Sequence, residues 1–425
     1  MSSDKYSWSH GDTPPVLEAH SLAKHAVLRS YVRRYIEVLT SNPRRDSLNL
    51  TLVDGFAGGG EYLYGGRSSP GSPMILLEEV ACAQARFDTE RTKPFRLTAD
   101  FAFVELLKPN LDFLEHTIQA SVYRPLMNDA IHLINASFQS ALPDIISRIR
   151  SRGRAHRCIF FLDQYGYTEV SFNAIRTILT SLQNPEIIVT FNVDSLIDYL
   201  VEDEAFLKGV KPVELSLSDV RDMLVLKGQR EARWLIQNLL YQHVRDKTGA
   251  PYYTCFFIKS PASHRSYWLL HISKHPKARD EMALRHWALS NHFVHHGRAG
   301  IQMLGFDPEK DINQIPMDFL FDDDANARAK SALMEQLPRL IFSNAQLRAN
   351  PPTLGSLFTD ICNDTPATTH QVGDVLVKLR QETEIEILSE DRRPKPRSRQ
   401  IGWNDIILPA RQRSMLSTIW PPTIA

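Results

Sequence analysis

Near the start of the chain, a glycine-rich loop stands directly behind an apolar segment. Residues 50–62 read LTLVDGFAGGGEY, and Leu50, Leu52 and Val53 are typical of a strand buried on both faces of a parallel sheet. Glycines let a backbone approach a ligand closely and take positive φ angles. Because the loop lacks the GKS or GKT ending of a P-loop, it predicts a site for a dinucleotide or for S-adenosylmethionine and argues against ATP hydrolysis.

Carboxylates end the predicted strands beside this loop. Asp54 would accept hydrogen bonds from a methionine ammonium group but would repel a pyrophosphate, which favours S-adenosylmethionine. Glu105 ends FAFVEL and is placed to bind both ribose hydroxyls, although it follows the glycines at about twice the usual ~20-residue distance. Asp129 is either a contact to the adenine amino group or a plain turn residue. The predicted cofactor site comprises Asp54, Gly55, Phe56, Ala57, Gly58, Gly60, Glu105 and Asp129.

A polar corner follows a third apolar strand, CIFFL at residues 158–162, and reads Asp163-Gln164-Tyr165-Gly166. Amino-methyltransferases carry an Asp/Asn-Pro-Pro-Tyr/Phe segment at this place. There a carboxylate or amide accepts hydrogen bonds from the target amine, and an aromatic ring stacks on a flat substrate such as a flipped base. Asp163 and Tyr165 suit these roles, with Gln164 in place of a proline. The alternative is a structural turn at the sheet edge.

Composition excludes several classes of protein. Lys+Arg and Asp+Glu number 49 each in 425 residues, so no global field attracts the chain to nucleic acid or membrane. No apolar run approaches the ~20 residues that span a bilayer, and the first residues lack a signal-peptide pattern. The four cysteines are too far apart to predict disulfides or a zinc knuckle, and the histidines of residues 286–296 favour packing over a metal site. We therefore expect a cytoplasmic protein with no metal and no membrane contact.

Strands alternating with helices up to residue 192 predict a doubly wound, mostly parallel α/β sheet of the class I methyltransferase (Rossmann-like) type. Two later strand candidates, 252–259 and 266–273, would complete it as an antiparallel pair. The predicted organisation is a flexible lead (1–15), the Rossmann-like domain (16–305) with a helical insertion (about 194–248), a connector and helix (306–349), a winged-helix-like domain (350–413) and a tail (414–425).

Two arginine-rich segments differ in what they predict. SRIRSRGRAHR, at 147–157, is typical of a solvated helix end. The second lies between two predicted strands of the winged helix, where basic residues contact phosphates. Its predicted nucleic-acid contacts are Arg392, Arg393, Lys395, Arg397 and Arg399.

Several of these motifs, taken in order, resemble one known family. VDGFAGGGEY, GSP at 71–73, FVEL, FFLDQYG and IIVTFNVDSLIDYL are similar to segments of the three-Cys-motif partner proteins (TcmP), over roughly residues 17–305. That family is methyltransferase-like and is encoded in bacteria beside a protein with three conserved cysteines, so the resemblance implies such a partner. It also supports Asp54, the glycines, Glu105 and Asp163 as site residues. Lys24 and His25 match as well, either near the pocket or in packing. Gln164 departs from the family's usual Asp-Pro-Phe-Gly.

Two hypotheses follow. The first is an S-adenosylmethionine-dependent methyltransferase that acts on an amine of nucleic acid, DNA or RNA, which the winged helix presents. The second is a catalytically inactive scaffold of the same fold that binds DNA or a protein partner through the winged helix. Gln164 favours the second hypothesis, whereas the intact Asp54, glycine loop and Glu105 favour the first.

Overall fold

The computed structural model describes residues 6–9, 11–127, 129–228, 232–259, 266–289, 294–296, 318–320, 323–343, 351–396 and 400–410. The chain divides into two compact units, Met1–Val294 and His295–Ala425.

A seven-stranded sheet is the centre of the first unit. Its strands are β1 (Ser47–Asp54), β4 (Arg96–Glu105), β5 (Ile131–Asn135), β6 (Arg157–Leu162), β7 (Pro185–Phe191), β8 (Tyr252–Lys259) and β9 (Ser266–Ser273). Two further strands, β2 (Glu61–Tyr64) and β3 (Arg67–Pro70), form a separate small hairpin. The order across the sheet is β5-β4-β1-β6-β7-β9-β8. All neighbours from β5 to β7 are parallel, whereas β9 runs antiparallel to both β7 and β8.

This topology confirms the predicted fold class. When the β2–β3 hairpin is left out and the sheet strands are numbered along the chain, their order is 3-2-1-4-5-7-6 and strand 7 (β9) is reversed. This is the arrangement of class I methyltransferases. The sheet core is apolar on both faces, because Leu50, Leu52 and Val53 of β1 are fully buried, as are Phe103 of β4 and Phe160 of β6.

Helices connect and cover these strands. They are α1 (Ala19–Thr40), α2 (Ser72–Glu90), α3 (Lys108–Gln119), α4 (Phe138–Ser151), α5 (Phe172–Ser181), α6 (Val193–Asp198), α7 (Glu204–Gly209), α8 (Leu217–Lys227), α9 (Ala232–Thr248) and α10 (Pro276–Ala288). Serine side chains cap α4 and α5, since Ser137 and Ser171 accept from backbone N–H groups one turn in. Helices α6 to α9 lie between β7 and β8 in sequence, where the helical insertion was predicted.

Several described residues near the amino terminus are packed, whereas the prediction made residues 1–15 a flexible lead. Trp8 is only 3% exposed. The Pro15 carbonyl accepts from the Leu63 N–H at 2.9 Å, and Val16 forms a parallel bridge with the same residue of β2. This segment therefore lies against the hairpin that follows the glycine loop.

The second unit contains a winged helix. Its described elements are the short strands β10 (Val294–His296) and β11 (Asp318–Leu320), then α11 (Asp323–Ser343), α12 (Leu354–Ile361), α13 (Thr369–Gln381), β12 (Ile385–Leu388) and β13 (Ile406–Pro409). Capping boxes begin α12 and α13 at Thr353 and Thr368. Strands β12 and β13 pair antiparallel, and Thr353 forms an isolated antiparallel bridge with Ile406.

Helix α11 packs on α13 through specific side-chain bonds. Gln371 donates to Asn326 at 2.9 Å, and Lys330 pairs with Asp374 at 2.7 Å. The prediction had assigned this helix to a connector, outside the winged helix. These bonds show that α11 packs against α13 of the winged helix.

Candidate functional site

Three predicted carboxylates meet at one edge of the sheet. Asp54 ends β1, Glu105 ends the neighbouring β4, and Asp163 follows β6 on the other side of β1. Because these strands are parallel, their carboxyl ends lie together, at the point where the strand order reverses. Doubly wound sheets bind their ligands at this point. The negative charges of Asp163 and Glu105 both act to raise the pKa of the Asp54 carboxyl, after the larger effect of its burial.

Asp54 is fully buried and only partly hydrogen-bonded. Its Oδ1 accepts from the Phe56 N–H at 3.1 Å, whereas Oδ2 has no hydrogen-bond partner. Burial raises the pKa of Asp54 to about 7; the charges of Asp163 and Glu105 add to the rise, and the Ser72 hydroxyl and Phe56 N–H oppose it. A buried carboxylate oxygen without a partner fits a cationic donor such as an ammonium group.

The glycine loop is anchored to both neighbouring strands. The Gly55 N–H donates to Phe161 in β6, and the Ala57 N–H donates to Val104 in β4, each at 2.9 Å. Glu105 is half-buried, and its two oxygens accept from the Gly58 and Leu107 N–H groups, each at 2.9 Å. Each Glu105 oxygen keeps a lone pair, so the carboxylate can hold the loop and still accept from two ligand hydroxyls.

Protein atoms crowd the glycines themselves. A Cβ added to Gly55 would lie 2.6 Å from Leu162, and one added to Gly60 would lie 2.5 Å from Leu114. Gly58 and Gly60 have positive φ angles of 57° and 76°. These glycines are therefore required by the loop's own packing and conformation as well as by any ligand.

A buried ion pair holds Asp163. Lys24 of α1 donates to both carboxylate oxygens, at 2.6 and 2.7 Å, and the two side chains are only 8% and 19% exposed. Burial acts to raise the pKa of Asp163, but the charge and hydrogen bonds of Lys24 outweigh it and hold the pKa below its ordinary value. Asp163 is therefore ionised at neutral pH and can accept hydrogen bonds.

His25 lies beside this pair and is neutral. Burial lowers its pKa to about 4, and the positive charge of Lys24 adds to that effect. Its Nδ1 is buried with no hydrogen-bond partner. The sequence alone left Lys24 and His25 open between the pocket and packing, and the structure places Lys24 in the site.

The other two residues of the predicted catalytic corner, Gln164 and Tyr165, differ in burial. Gln164 is buried; its amide nitrogen donates to the Thr190 carbonyl and its oxygen accepts from the Val170 N–H, both at 2.9 Å. Gln164 therefore bridges the corner to β7 and does not face a substrate. Tyr165 is 63% exposed and is free to stack on one.

Aromatic residues that were not predicted lie beside the glycine loop and His25. Trp8 meets Tyr62 edge-on at 5.2 Å between ring centroids, Tyr6 stacks on Trp8 at 6.4 Å, and Tyr62 lies 5.8 Å from His25. Burial raises the pKa of Tyr62 well above its ordinary range, with Asp163 adding to the rise. Nothing in the periodicity of residues 6–8 indicates this contact, because it joins segments about fifty positions apart.

The structure corrects the prediction for Asp129. This residue is exposed and precedes β5, so it lies at the amino edge of the sheet, opposite Asp54 and Glu105. Its charge acts there on His132, together with Asp100, Arg148 and Arg152. At the carboxyl edge, Asn135 ends β5 and donates to the Glu105 and Leu106 carbonyls at 2.9 and 3.0 Å.

The predicted nucleic-acid contacts of the wing differ in how exposed their side chains are. Arg392 and Arg393 are exposed at a tight turn, where the Arg393 carbonyl accepts from the Ser389 N–H at 2.8 Å. Lys395 forms a short ion pair with Asp405 and is only 17% exposed, so it is held within the wing. Arg397 and Arg399 lie outside the described residues.

The described part of the chain contains no group of three or more His, Cys, Asp or Glu side chains placed to hold a metal ion. None of its helices is both long and apolar enough to cross a membrane.

Comparisons with known proteins agree with this division into two parts. A family model described as a GMT-like wHTH domain matches residues 305–392, a range that includes α11. No curated protein matches the chain.

Solved structures with a related fold are distant. Protein LPL1258 from Legionella pneumophila is 12% identical, with 65% of this chain and 93% of that chain covered and a TM-score of 0.38. The putative methyltransferase yhhF from Escherichia coli is 12% identical over 57% and 87%, with a TM-score of 0.24. The plantazolicin methyltransferase BamL is 12% identical over 60% and 85%, with a TM-score of 0.25. At these values the likenesses carry no argument about activity. The first unit has the class I methyltransferase topology by its own strand order, and the second contains a winged helix-turn-helix domain.

Proposed function

We propose that the first unit is an S-adenosylmethionine-dependent methyltransferase and that its acceptor is an amine of nucleic acid. The observation that carries the proposal is the ionised Asp163 at the carboxyl edge of the sheet, beside an Asp54 carboxyl with an unpartnered oxygen. An acceptor carboxylate next to a site for a cationic ligand suits amine methylation.

The residues present fit the cofactor. Asp54 Oδ2 would accept from the methionine ammonium group, and the spare lone pairs of Glu105 would accept from the two ribose hydroxyls. The loop from Gly55 to Gly60 would lie against the sugar and methionine part. The bound sulfonium supplies an electrophilic methyl group, so no metal is needed.

Asp163 would orient the acceptor. By accepting an N–H from the amine, it directs the nitrogen lone pair at the methyl group, and the exposed Tyr165 ring stacks on the flat substrate. Lys24 already binds both oxygens, so the amine must share Asp163 with Lys24. Gln164 does not disable this corner, because its two bonds to backbone groups keep the turn in place.

The winged helix would present the nucleic acid, with Arg392 and Arg393 as its exposed phosphate contacts. The resemblance of the first unit to the three-Cys-motif partner proteins supports a cysteine-rich protein as a working partner. Either DNA or RNA suits a base amine acceptor, so both belong in the assay.

The experiment measures S-adenosylmethionine binding and then identifies the methylated product. Calorimetry should show S-adenosylmethionine binding to the wild-type protein. Mass spectrometry of nucleosides from cells with and without the gene should then reveal a methylated amine that depends on the gene. A protein that binds the cofactor but methylates no nucleic acid, even with the cysteine-rich partner added, contradicts the catalytic part of the proposal.

One observation favours a second candidate, an inactive scaffold of the same fold. Lys24 occupies both oxygens of Asp163 in the resting site, as a structural ion pair would. Under this alternative, Asp163→Ala and Lys24→Met would destabilise the protein equally and would change no nucleoside. A loss of the methylated nucleoside in Asp163→Ala, with cofactor affinity retained, decides for the enzyme.

A further inference from the structure

The indole of Trp8 lies directly on the glycine loop. A Cβ added to Gly58 would fall 2.9 Å from the ring, and one added to Gly59 would fall 2.3 Å from it. Two of the four glycines are therefore shaped to receive an aromatic side chain from the amino-terminal segment. Because the Gly58 N–H also bonds Glu105, a ring packed on this residue fixes the position of the predicted ribose acid.

Trp8 is tied to both sides of the loop. Its backbone N–H donates to Asn110 Oδ1 of α3 at 3.2 Å, and its indole Nε1 donates to the Glu61 carbonyl of β2 at 2.7 Å. These bonds join the segment that follows β4 to the hairpin that follows the loop. A substitution that keeps the ring but removes Nε1 would break only one of the two ties.

The rest of the segment continues along the hairpin to α1. The Leu63 N–H donates to the Pro15 carbonyl at 2.9 Å, and the Leu17 N–H donates to the Leu63 carbonyl at 2.8 Å. We call residues 6–9 and 11–17 the strap. The strap runs from the glycine loop to the first residues before the helix that carries Lys24.

The strap lies on the glycine loop that follows Asp54. Asp54 has no exposed surface, although one of its oxygens has no partner. Tyr62 lies edge-on against Trp8 and also contacts the strap residue Tyr6 edge-on at 6.1 Å. Because Asp54 is fully buried, a ligand can bond to its unpartnered oxygen only if a neighbouring element moves.

We propose that Trp8 is a positioning residue for the cofactor loop and that the strap opens and recloses each time S-adenosylmethionine is exchanged, with Trp8 as its latch. The proposal rests on the proposed function of the first unit. Trp8 would touch the loop and not the reacting atoms. Its effect would therefore fall on the rates of cofactor entry and exit.

The test compares Trp8→Ala with Trp8→Phe by stopped-flow binding of S-adenosylmethionine to the full chain. Trp8→Ala should raise both the association and the dissociation rate constants, the latter by about tenfold or more. Trp8→Phe keeps a ring on Gly58 and Gly59 and loses the bond to Glu61, so its rates should return most of the way to wild type. Equal rates in all three proteins would overturn the proposal.

Hydrogen exchange of the wild-type protein covers the case in which Trp8→Ala does not fold. Saturating S-adenosylmethionine should slow exchange of the Leu17 and Leu63 amides, which open only with the strap, and leave the amides of α5 unchanged. Binding without added protection at Leu17 and Leu63 overturns the strap but leaves the proposed function standing. A wild-type protein that binds no S-adenosylmethionine overturns both.

Discussion

Each unit contains a lysine–aspartate pair with one member that was predicted to be functional, Asp163 in the first and Lys395 in the second, and the two pairs are different in kind. In the first unit Lys24 binds Asp163 at the carboxyl edge of the sheet; in the second, Lys395 binds Asp405 within the wing. All four side chains are less than one-fifth exposed. Burial and pairing are therefore common to both.

The surroundings distinguish them. Asp405 also accepts from the Gly402 N–H at 2.5 Å, so the wing pair is satisfied by its own turn. Around Asp163, by contrast, His25 Nδ1 and Asp54 Oδ2 are buried without partners, and the pKa values of both side chains are shifted. A buried polar atom without a hydrogen-bond partner lowers the stability of the folded protein. Two such atoms beside the Lys24–Asp163 pair therefore indicate a ligand site.

The largest expected difference comes from removing each aspartate. Asp163→Ala should lower methyl transfer by ~10²-fold or more, because the amine is no longer oriented, and should leave cofactor affinity nearly intact. Asp163→Asn should retain partial activity, because an amide oxygen still accepts a hydrogen bond. Asp405→Ala, the matched change in the wing, should leave single-turnover methyl transfer to a free nucleoside unchanged.

A rate for Asp163→Asn equal to that of Asp163→Ala would instead assign Asp163 a role as proton acceptor. Both alanine variants leave a buried lysine unpaired, which costs about 3–5 kcal/mol. Thermal unfolding should therefore accompany each assay, so that lost activity is not mistaken for lost fold.

A smaller effect is expected at Glu105. Glu105→Ala should weaken S-adenosylmethionine binding by roughly 1–3 kcal/mol, through loss of charge-assisted bonds to the ribose. The control is Glu105→Gln, whose amide oxygen can still accept from the Gly58 N–H and hold the loop. Calorimetric affinity equal to wild type in the alanine variant would remove Glu105 from the cofactor site.

The smallest effect is expected in the wing, where substitutions of the arginines and of the lysine should change different properties. Replacing Arg392 and Arg393 by glutamine should flatten the log–log salt dependence of nucleic-acid binding by ~1 unit per lost contact, without loss of stability. Lys395→Met should leave that slope unchanged and lower the melting temperature. Fluorescence titration over a range of salt concentrations measures the slope, and an unchanged slope in the arginine variant would indicate a protein partner for the wing.

Local patterns were enough to predict most of the sheet. Apolar runs such as LTLVD and CIFFL predict strands buried on both faces. Because the carboxyl ends of parallel strands share one edge of a sheet, the strand ends predict that Asp54, Glu105 and Asp163 lie at that edge. The prediction for Asp129 departed from these rules, because a residue that precedes a parallel strand lies at the opposite edge from residues that follow the neighbouring strands. Asp129 precedes β5 by two positions, and this alone moves it to the opposite edge.

Long-range contacts could not be predicted from local patterns. Trp8 meets Gly58 and Glu61, Lys24 meets Asp163, and Lys395 is neutralised by Asp405 across the wing. None of these pairs has a periodic spacing, since each depends on how distant segments pack. Gln164 shows the same limit, because its departure from the family motif is visible in the sequence whereas its two bonds to backbone groups are not.

Calorimetric titration with S-adenosylmethionine between pH 5.5 and 7.5 tests the central claim most directly. Burial raises the pKa of Asp54 to about 7, so the carboxyl is largely protonated at pH 5.5 and must ionise to receive an ammonium group. We predict that affinity rises with pH through this window, that binding at pH 6 releases a proton to the buffer, and that Asp54→Asn binds weakly with no pH dependence. Absence of binding, or wild-type affinity that is independent of pH and equal to that of Asp54→Asn, would contradict a cofactor site at this edge of the sheet.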